Sequence, residues 1–214
     1  MNISILSPLA LGVVLGLKHA LDADHLAAVS TMATESRGLF ASSLIGALWG
    51  LGHTLSLLVA GVQMLLFHFQ IGEHVAKALE LCVGFMLIAL GVDSLRKLAR
   101  SRNGHMHAPR PAARPLLVGM VHGLAGSAAL TLLVFGAIPS PALGLLYIAS
   151  FGIGSIGGMV IMSTLFSLPA KLTLLHFERT NIAIRGLAGI VSVCFGTSMI
   201  YDMALAVMVH TTTP

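Results

Sequence analysis

Charge is what this sequence has least of. Only 9% of its 214 residues are Asp, Glu, Lys or Arg, against about a quarter in an ordinary soluble domain. A chain so poor in charge cannot clothe a water-facing surface, which excludes a soluble enzyme or nucleic-acid-binding domain. Thiols are scarce too. Cys82 and Cys194 each lie in an apolar run, so there is no disulfide framework and no Cys-x-x-Cys pair. Neither has a polar neighbour that would activate it, and both read as inert helix residues. The start, Met1-Asn2-Ile3-Ser4, lacks the basic stretch and small-residue cleavage site of a signal peptide, so the first apolar segment is expected to be retained.

What the chain does have is apolar length: 56% of it is hydrophobic and its mean hydropathy is +0.93. Thirty-five uncharged residues separate Arg37 from Glu73, and 56 separate Arg114 from Lys171. A membrane-crossing helix needs about 20 residues, so the second stretch holds two spans, divided at Pro139-Ser140-Pro141 where proline halts a helix. The expected architecture is an all-α polytopic membrane protein of six transmembrane helices, at roughly 5–33, 40–68, 74–98, 115–137, 141–168 and 182–208. Residues 1–214 then form a single membrane domain, with a first repeat over about 1–99, a linker over about 100–114 and a second repeat over about 115–214.

The cations give the orientation. Arg37, then Arg96, Lys97, Arg100, Arg102, Arg110 and Arg114, then Lys171, Arg179 and Arg185 follow spans one, three and five. By the positive-inside rule those loops are cytoplasmic and both termini lie outside. The basic balance of +4 therefore records topology and a bilayer partner, not nucleic acid.

The two halves resemble each other. Gly16-Leu17-Lys18-His19-Ala20-Leu21 aligns with Gly119-Met120-Val121-His122-Gly123-Leu124, and Gly50-Leu51-Gly52-His53 with Gly152-Ile153-Gly154-Ser155. Gly84 and Gly91 match Gly189 and Gly196, both 105 residues on. With three spans per half the second copy enters the membrane upside down, a 3+3 inverted repeat of the kind found in secondary transporters. Chance likeness between glycine-rich helices is the alternative. Gly152-Ile153-Gly154-Ser155-Ile156-Gly157 formally fits a dinucleotide fingerprint, but no soluble strand precedes it and the match is spurious.

The chemistry concentrates in span one, at Lys18-His19-Ala20-Leu21-Asp22-Ala23-Asp24-His25. Ionisable side chains in lipid pair, line a cavity or bind an ion. On a continuous helix His19, Asp22 and His25 fall within an arc of about 120°, and Lys18, on that face, could neutralise Asp22. Asp24 points elsewhere, as an acceptor for a histidine on a neighbouring helix. Two imidazoles and a carboxylate suit a divalent transition ion such as Ni²⁺, Co²⁺, Cu²⁺ or Zn²⁺. A buried ion-pair cluster that only fixes helix packing is the plainer reading.

His53, mid-span after Gly52 and three residues before Ser56, is a candidate ligand from a second helix, or a donor to a serine on a neighbour. His122, the repeat mate of His19, is a pathway ligand or a packing donor. His105 and His107 lie in the basic loop and read as linker. His68, His74, His176 and His210 fall at span ends, where the interface accounts for them. Asp93 can pair with Arg96 or Lys97, and Asp202 can cap a helix end, with a proton relay as the alternative for both.

His19 to His25 matches the His-Ala-x-Asp-Ala-Asp-His signature of the nickel/cobalt transporter family, and Leu51-Gly52-His53-Thr54 resembles that family's second motif. The segment Gly119 to Leu130, with His122-Gly123-Leu124-Ala125-Gly126-Ser127, is similar to the shorter six-span UreH-like branch. The longer members' acidic motif in the second half is missing, since Ala125 and Ser127 stand opposite Asp22 and Asp24. The resemblance implies a secondary transporter for Ni²⁺, with Co²⁺ as a second cargo, in the bacterial cytoplasmic membrane, working in uptake. It implies a metal site of His19, Asp22, Asp24, His25, His53 and His122, no resident cofactor and no catalytic residue. Maturation metallochaperones of urease or hydrogenase are the protein partners it suggests. The competing readings are an efflux carrier, an intramembrane zinc-dependent hydrolase using the same residues, and a scaffold that docks metallochaperones without moving metal.

Overall fold

The computed structural model describes residues 3–36, 38–67, 72–101, 113–125, 140–174 and 178–212. They form seven helices: α1 (Ile3–His19), α2 (Ala23–Thr34), α3 (Leu39–Phe67), α4 (Glu73–Ser101), α5 (Ala113–Gly123), α6 (Pro141–Leu174) and α7 (Glu178–Thr212). Four of them, α3, α4, α6 and α7, are long and apolar enough to cross a membrane; α1 and α2 together make a fifth if the bent pair is one span. The second half of the expected fourth span, including Ser127, lies outside the described residues, as do Arg37, His68, His105, His107 and His176.

The first span is not the continuous helix that apolar length suggests. It breaks after His19 and resumes at Ala23, turned through 62°. The local chemistry explains this without proline or glycine at the break. Leu21 N–H bonds to Lys18 O at 2.9 Å and Asp22 N–H to His19 O at 3.0 Å, a tightening that closes α1. Asp22 is then extended (φ −62°, ψ 145°) and its carbonyl accepts from Leu26 N–H at 3.0 Å, opening α2. Lys18 and His19 end the first helix while Asp24 sits in the first turn of the second, the charge placement that helix dipoles favour. The fifth expected span also departs from its end at residue 168: α6 continues through Pro169 to Leu174, and Thr173 Oγ1–H donates to Pro169 O at 2.8 Å in the turn that follows.

α2 is the central element. Every residue from Ala27 to Thr34 is buried, and Ala27, Ala28, Val29, Met32 and Ala33 form one core with Trp49 of α3, Val83, Leu87 and Leu90 of α4, Val118 of α5 and Met159 of α6. The periphery is apolar as well: Phe40, Phe85, Ile153, Ile161, Leu172 and Leu187 are exposed, as side chains that face lipid tails should be.

The most extensive helix packing among the described residues joins α3 with α6, α4 with α7, α1 with α6 and α3 with α5. Glycines permit the tightest crossings. Gly84 lies against Gly196, and Gly91 against Gly189; a Cβ at either member would meet backbone of the other helix. The aligned positions are 84 with 189 and 91 with 196, so exchanging the two halves turns one contact into the other. The same exchange relates Gly119, packed on Trp49 O, to Gly16, packed on Phe151 O.

Candidate metal centre

The break in the first span delivers the motif to one point. α1 ends on His19, α2 begins at Ala23 with His25 in its first turn, α3 contributes His53, and α5 ends with His122 beside Gly123. Gly123 lies against His53 O and Gly52 against Leu116 O. Such bare backbone contacts bring α3 and α5 close enough for their histidines to share a site.

Four imidazoles converge. Ring centroids are 4.4 Å apart for His19 and His25, 5.0 Å for His19 and His53, 5.3 Å for His25 and His53, and 4.1 Å for His25 and His122. His25, His53 and His122 have no exposed surface and His19 has 8%. Two groups have ligand atoms all within 4.8 Å of one another: His19, His25 and His53, and Asp24, His25 and His122. His25 belongs to both.

The carboxylates stand behind the rings. Asp22 Oδ2 lies 2.8 Å from His19 Nδ1. Asp24 bridges two rings, with Oδ1 3.0 Å from His25 Nδ1 and Oδ2 2.9 Å from His122 Nε2; Oδ1 also accepts from His25 backbone N–H at 2.9 Å. An ionised carboxylate can only accept, so each of these ring nitrogens carries the proton and the other holds the lone pair. For His25 that other atom is Nε2 and for His122 it is Nδ1. Both are buried without a hydrogen-bond partner among the described residues, as are both ring nitrogens of His53. Buried polar atoms are rarely left so, and this set of nitrogen lone pairs is the donor set that divalent transition ions take.

The placement corrects two expectations. The single-face arc of His19, Asp22 and His25 does not exist, because the helix breaks between them; the break itself gathers the two histidines. Lys18 is exposed on α1, and the group beside the Asp22 carboxylate is His19. Ser56 does not serve His53: its hydroxyl donates to Met120 O at 2.8 Å, another tie between α3 and α5. Asp93 pairs with Lys97 and, at 2.8 Å, with Arg114. Cys82 and Cys194 are free and exposed, and His74 is exposed at the start of α4.

Sequence reasoning misses Trp49. The chain's one tryptophan is fully buried and stacks on His25, centroids 5.4 Å apart and planes at 27°, with His122 edge-on at 5.8 Å. Its four-residue spacing from His53 on α3 is the signal that points to it. Phe151 of α6 lies 5.4 Å from His19 and walls the other side.

The chain is 35% identical over 217 aligned positions, covering 95% of each protein, to the urease accessory protein UreH of Bacillus sp. (strain TB-90). The chain belongs to the UreH-like branch of the nickel/cobalt transporter family. No family model matches it, and no solved structure does. This UreH-like chain, with four to five candidate spans, is a multi-pass membrane protein. Its relative is an accessory protein rather than a hydrolase, and the intramembrane-enzyme alternative is set aside.

Proposed function

We propose that this protein is a secondary transporter that carries Ni²⁺, with Co²⁺ as a second cargo, inward across the bacterial cytoplasmic membrane, binding the ion among His19, His25, His53 and His122. The observation that carries the proposal is the cluster of buried imidazole nitrogens, several of them without a partner among the described residues. Stripping water from a divalent ion is unfavourable unless ligands replace it. Imidazoles supply the ligands, and Asp22 and Asp24 set their tautomers and add two negative charges that offset the cargo's two positive ones.

A full 3+3 inverted repeat of six spans suits this activity, and the reciprocal glycine contacts support it. The cluster would then lie near the midplane, where α1/α2 meet α5, and rocking of one repeat against the other would expose it to each side in turn. The distribution of Lys and Arg supports a cytoplasmic side at the α2–α3, α4–α5 and α6–α7 connections. The relative's name ties that protein to urease. For this chain the corresponding role is to supply the ion for urease assembly, with maturation metallochaperones receiving it.

The test is uptake of radiolabelled nickel into proteoliposomes that contain only this protein. Wild type accumulates nickel, and His25→Ala, reconstituted to the same level, does not. Equal accumulation by the two, or none by wild type, overturns the reading; chelator-resistant stoichiometric zinc with no flux would revive the enzyme alternative.

A further inference from the structure

The helices that carry the second ligand group are braced again at their far ends. Glu35 is the residue that ends α2, Asp93 and Lys97 lie in the last third of α4, and Arg114 is in the first turn of α5. Lys97 Nζ binds Asp93 Oδ2 and lies 3.8 Å from Glu35 Oε2, while Arg114 Nη1 lies 2.8 Å from Asp93 Oδ2. The Glu35 side chain is only 8% exposed and that of Lys97 19%. Arg114 and Asp93 are 29% and 37% exposed, so the network runs from a buried Glu35 to a partly open rim. Partly solvated ion pairs contribute little to stability alone, and they suit a contact that must break and re-form.

α2 packs on α3, α4, α6 and α7 but has no extensive contact with α5 among the described residues. Two polar rungs bridge these helices. One is Asp24 to His122 at the candidate metal centre, and the other is the four-residue network, which reaches from α2 to α5 through α4. α2 spans the distance between the rungs, about 17 Å at 1.5 Å per residue. Along it lie the buried hydroxyls of Ser30, Thr31 and Thr34, and on α4 the Ser94 hydroxyl is buried with no partner among the described residues. The three hydroxyls of α2 donate back to carbonyls of their own helix, Ser30 to Ala27 O, Thr31 to Ala28 O and Thr34 to Ser30 O, and so place oxygens along the buried length of α2 between the two rungs. The opposite ends of α4 and α7 are different. There Glu73, Lys77, Glu80 and Asp202 line a cavity of about 490 Å³.

We propose that Glu35, Asp93, Lys97 and Arg114 form a latch that closes the cytoplasmic end of the ion path, and that opening it separates α5 from α2. The proposal rests on the transport reading above, and its readout is chosen to be independent of nickel flux. A cysteine at Thr31→Cys, in a chain with Cys82→Ser and Cys194→Ser, is exposed to a membrane-impermeant thiol reagent from the cytoplasmic face of inside-out vesicles. The latch keeps the thiol protected in the wild-type network. Glu35→Gln with Lys97→Gln removes both contacts of Lys97, with Glu35 and with Asp93, and leaves Asp93 with Arg114, so the Asp93 carboxylate keeps a partner. Labelling then rises about tenfold, as for a two-state gate whose closed form is weakened. An unchanged labelling rate in the folded double variant overturns the latch.

A second variant decides the matter if that one does not fold. Asp93→Cys with Arg114→Cys, in the same chain freed of its native cysteines, is joined across α4 and α5 by a short thiol cross-linker that a reductant cleaves. Nickel uptake is lost on cross-linking and regained on cleavage. Uptake that continues in the cross-linked protein overturns the latch, whereas absence of uptake by the wild-type chain in the same assay defeats the transport reading and leaves the labelling result to judge the latch.

Discussion

The two halves of the molecule share a scaffold but not a chemistry. The crossing of α4 and α7 is reciprocal: Gly84 meets Gly196 and Gly91 meets Gly189. At the centre the balance is uneven. The first half contributes His19, Asp22, Asp24, His25 and His53, while the described part of the second contributes His122, with the apolar Ala125 opposite Asp22. A transporter of this design needs mechanical equivalence of its halves so that the two facing states have similar energy. It does not need equivalent ligands, because one ion binds in one place. In the proposed transporter, symmetry is retained where helices would slide and given up where the cargo would be held.

Substitutions at mated positions break or sharpen this comparison. The largest effect is expected at His25→Ala, which removes the ring common to both ligand groups; nickel accumulation in proteoliposomes falls to background. His19→Ala and His122→Ala are mates in the alignment, yet should be unequal if the first half dominates. His19→Ala, in the three-histidine group, abolishes uptake, while His122→Ala leaves measurable uptake with a raised KM. Equal loss in the two would show that the site is shared evenly. Asp24→Asn keeps the shape of the side chain but weakens its grip on His25 and His122, and should cost roughly 10- to 100-fold in nickel affinity, the range seen for groups that orient metal ligands. Equilibrium binding in detergent measures it.

The smallest effects test the scaffold. Gly91→Ala and Gly196→Ala are mates that sit on opposite helices of one crossing. Each forces a methyl against backbone and should cost about 1–3 kcal/mol, read as matched falls in thermal midpoint. Markedly different falls would argue against mechanical equivalence. Both variants should still bind nickel, because neither position touches the candidate metal centre.

Much of the frame is legible in the residues alone. Long uncharged runs announce the membrane helices, and their ends fall within a few residues for α3 and α4. The break at residues 20–22 is harder to read because apolar length dominates a span assignment. Yet Lys18-His19 closing one helix and Asp22-Ala23-Asp24 opening another is a stop-and-start signal of the ordinary kind. Identifying His25 as the shared ring is out of reach, since the contact between Asp24 and His122 joins residues 98 apart and depends on how closely glycine lets α3 and α5 approach. Sequence periodicity places a residue on a face of its own helix; it does not say which face of another helix it meets. For the same reason spacing pairs Asp93 with Lys97 on its own helix, while its second partner, Arg114 of α5, emerges only from packing.

The lone tryptophan gives the candidate metal centre an optical reporter. Indole fluorescence comes from one place in this chain, Trp49, whose ring lies on His25 and edge-on to His122. A paramagnetic ion held by those histidines would sit within a few ångströms of the emitter and quench it. A change in the light from unlabelled protein, in detergent or in a vesicle, would then follow the filling and emptying of the candidate metal centre.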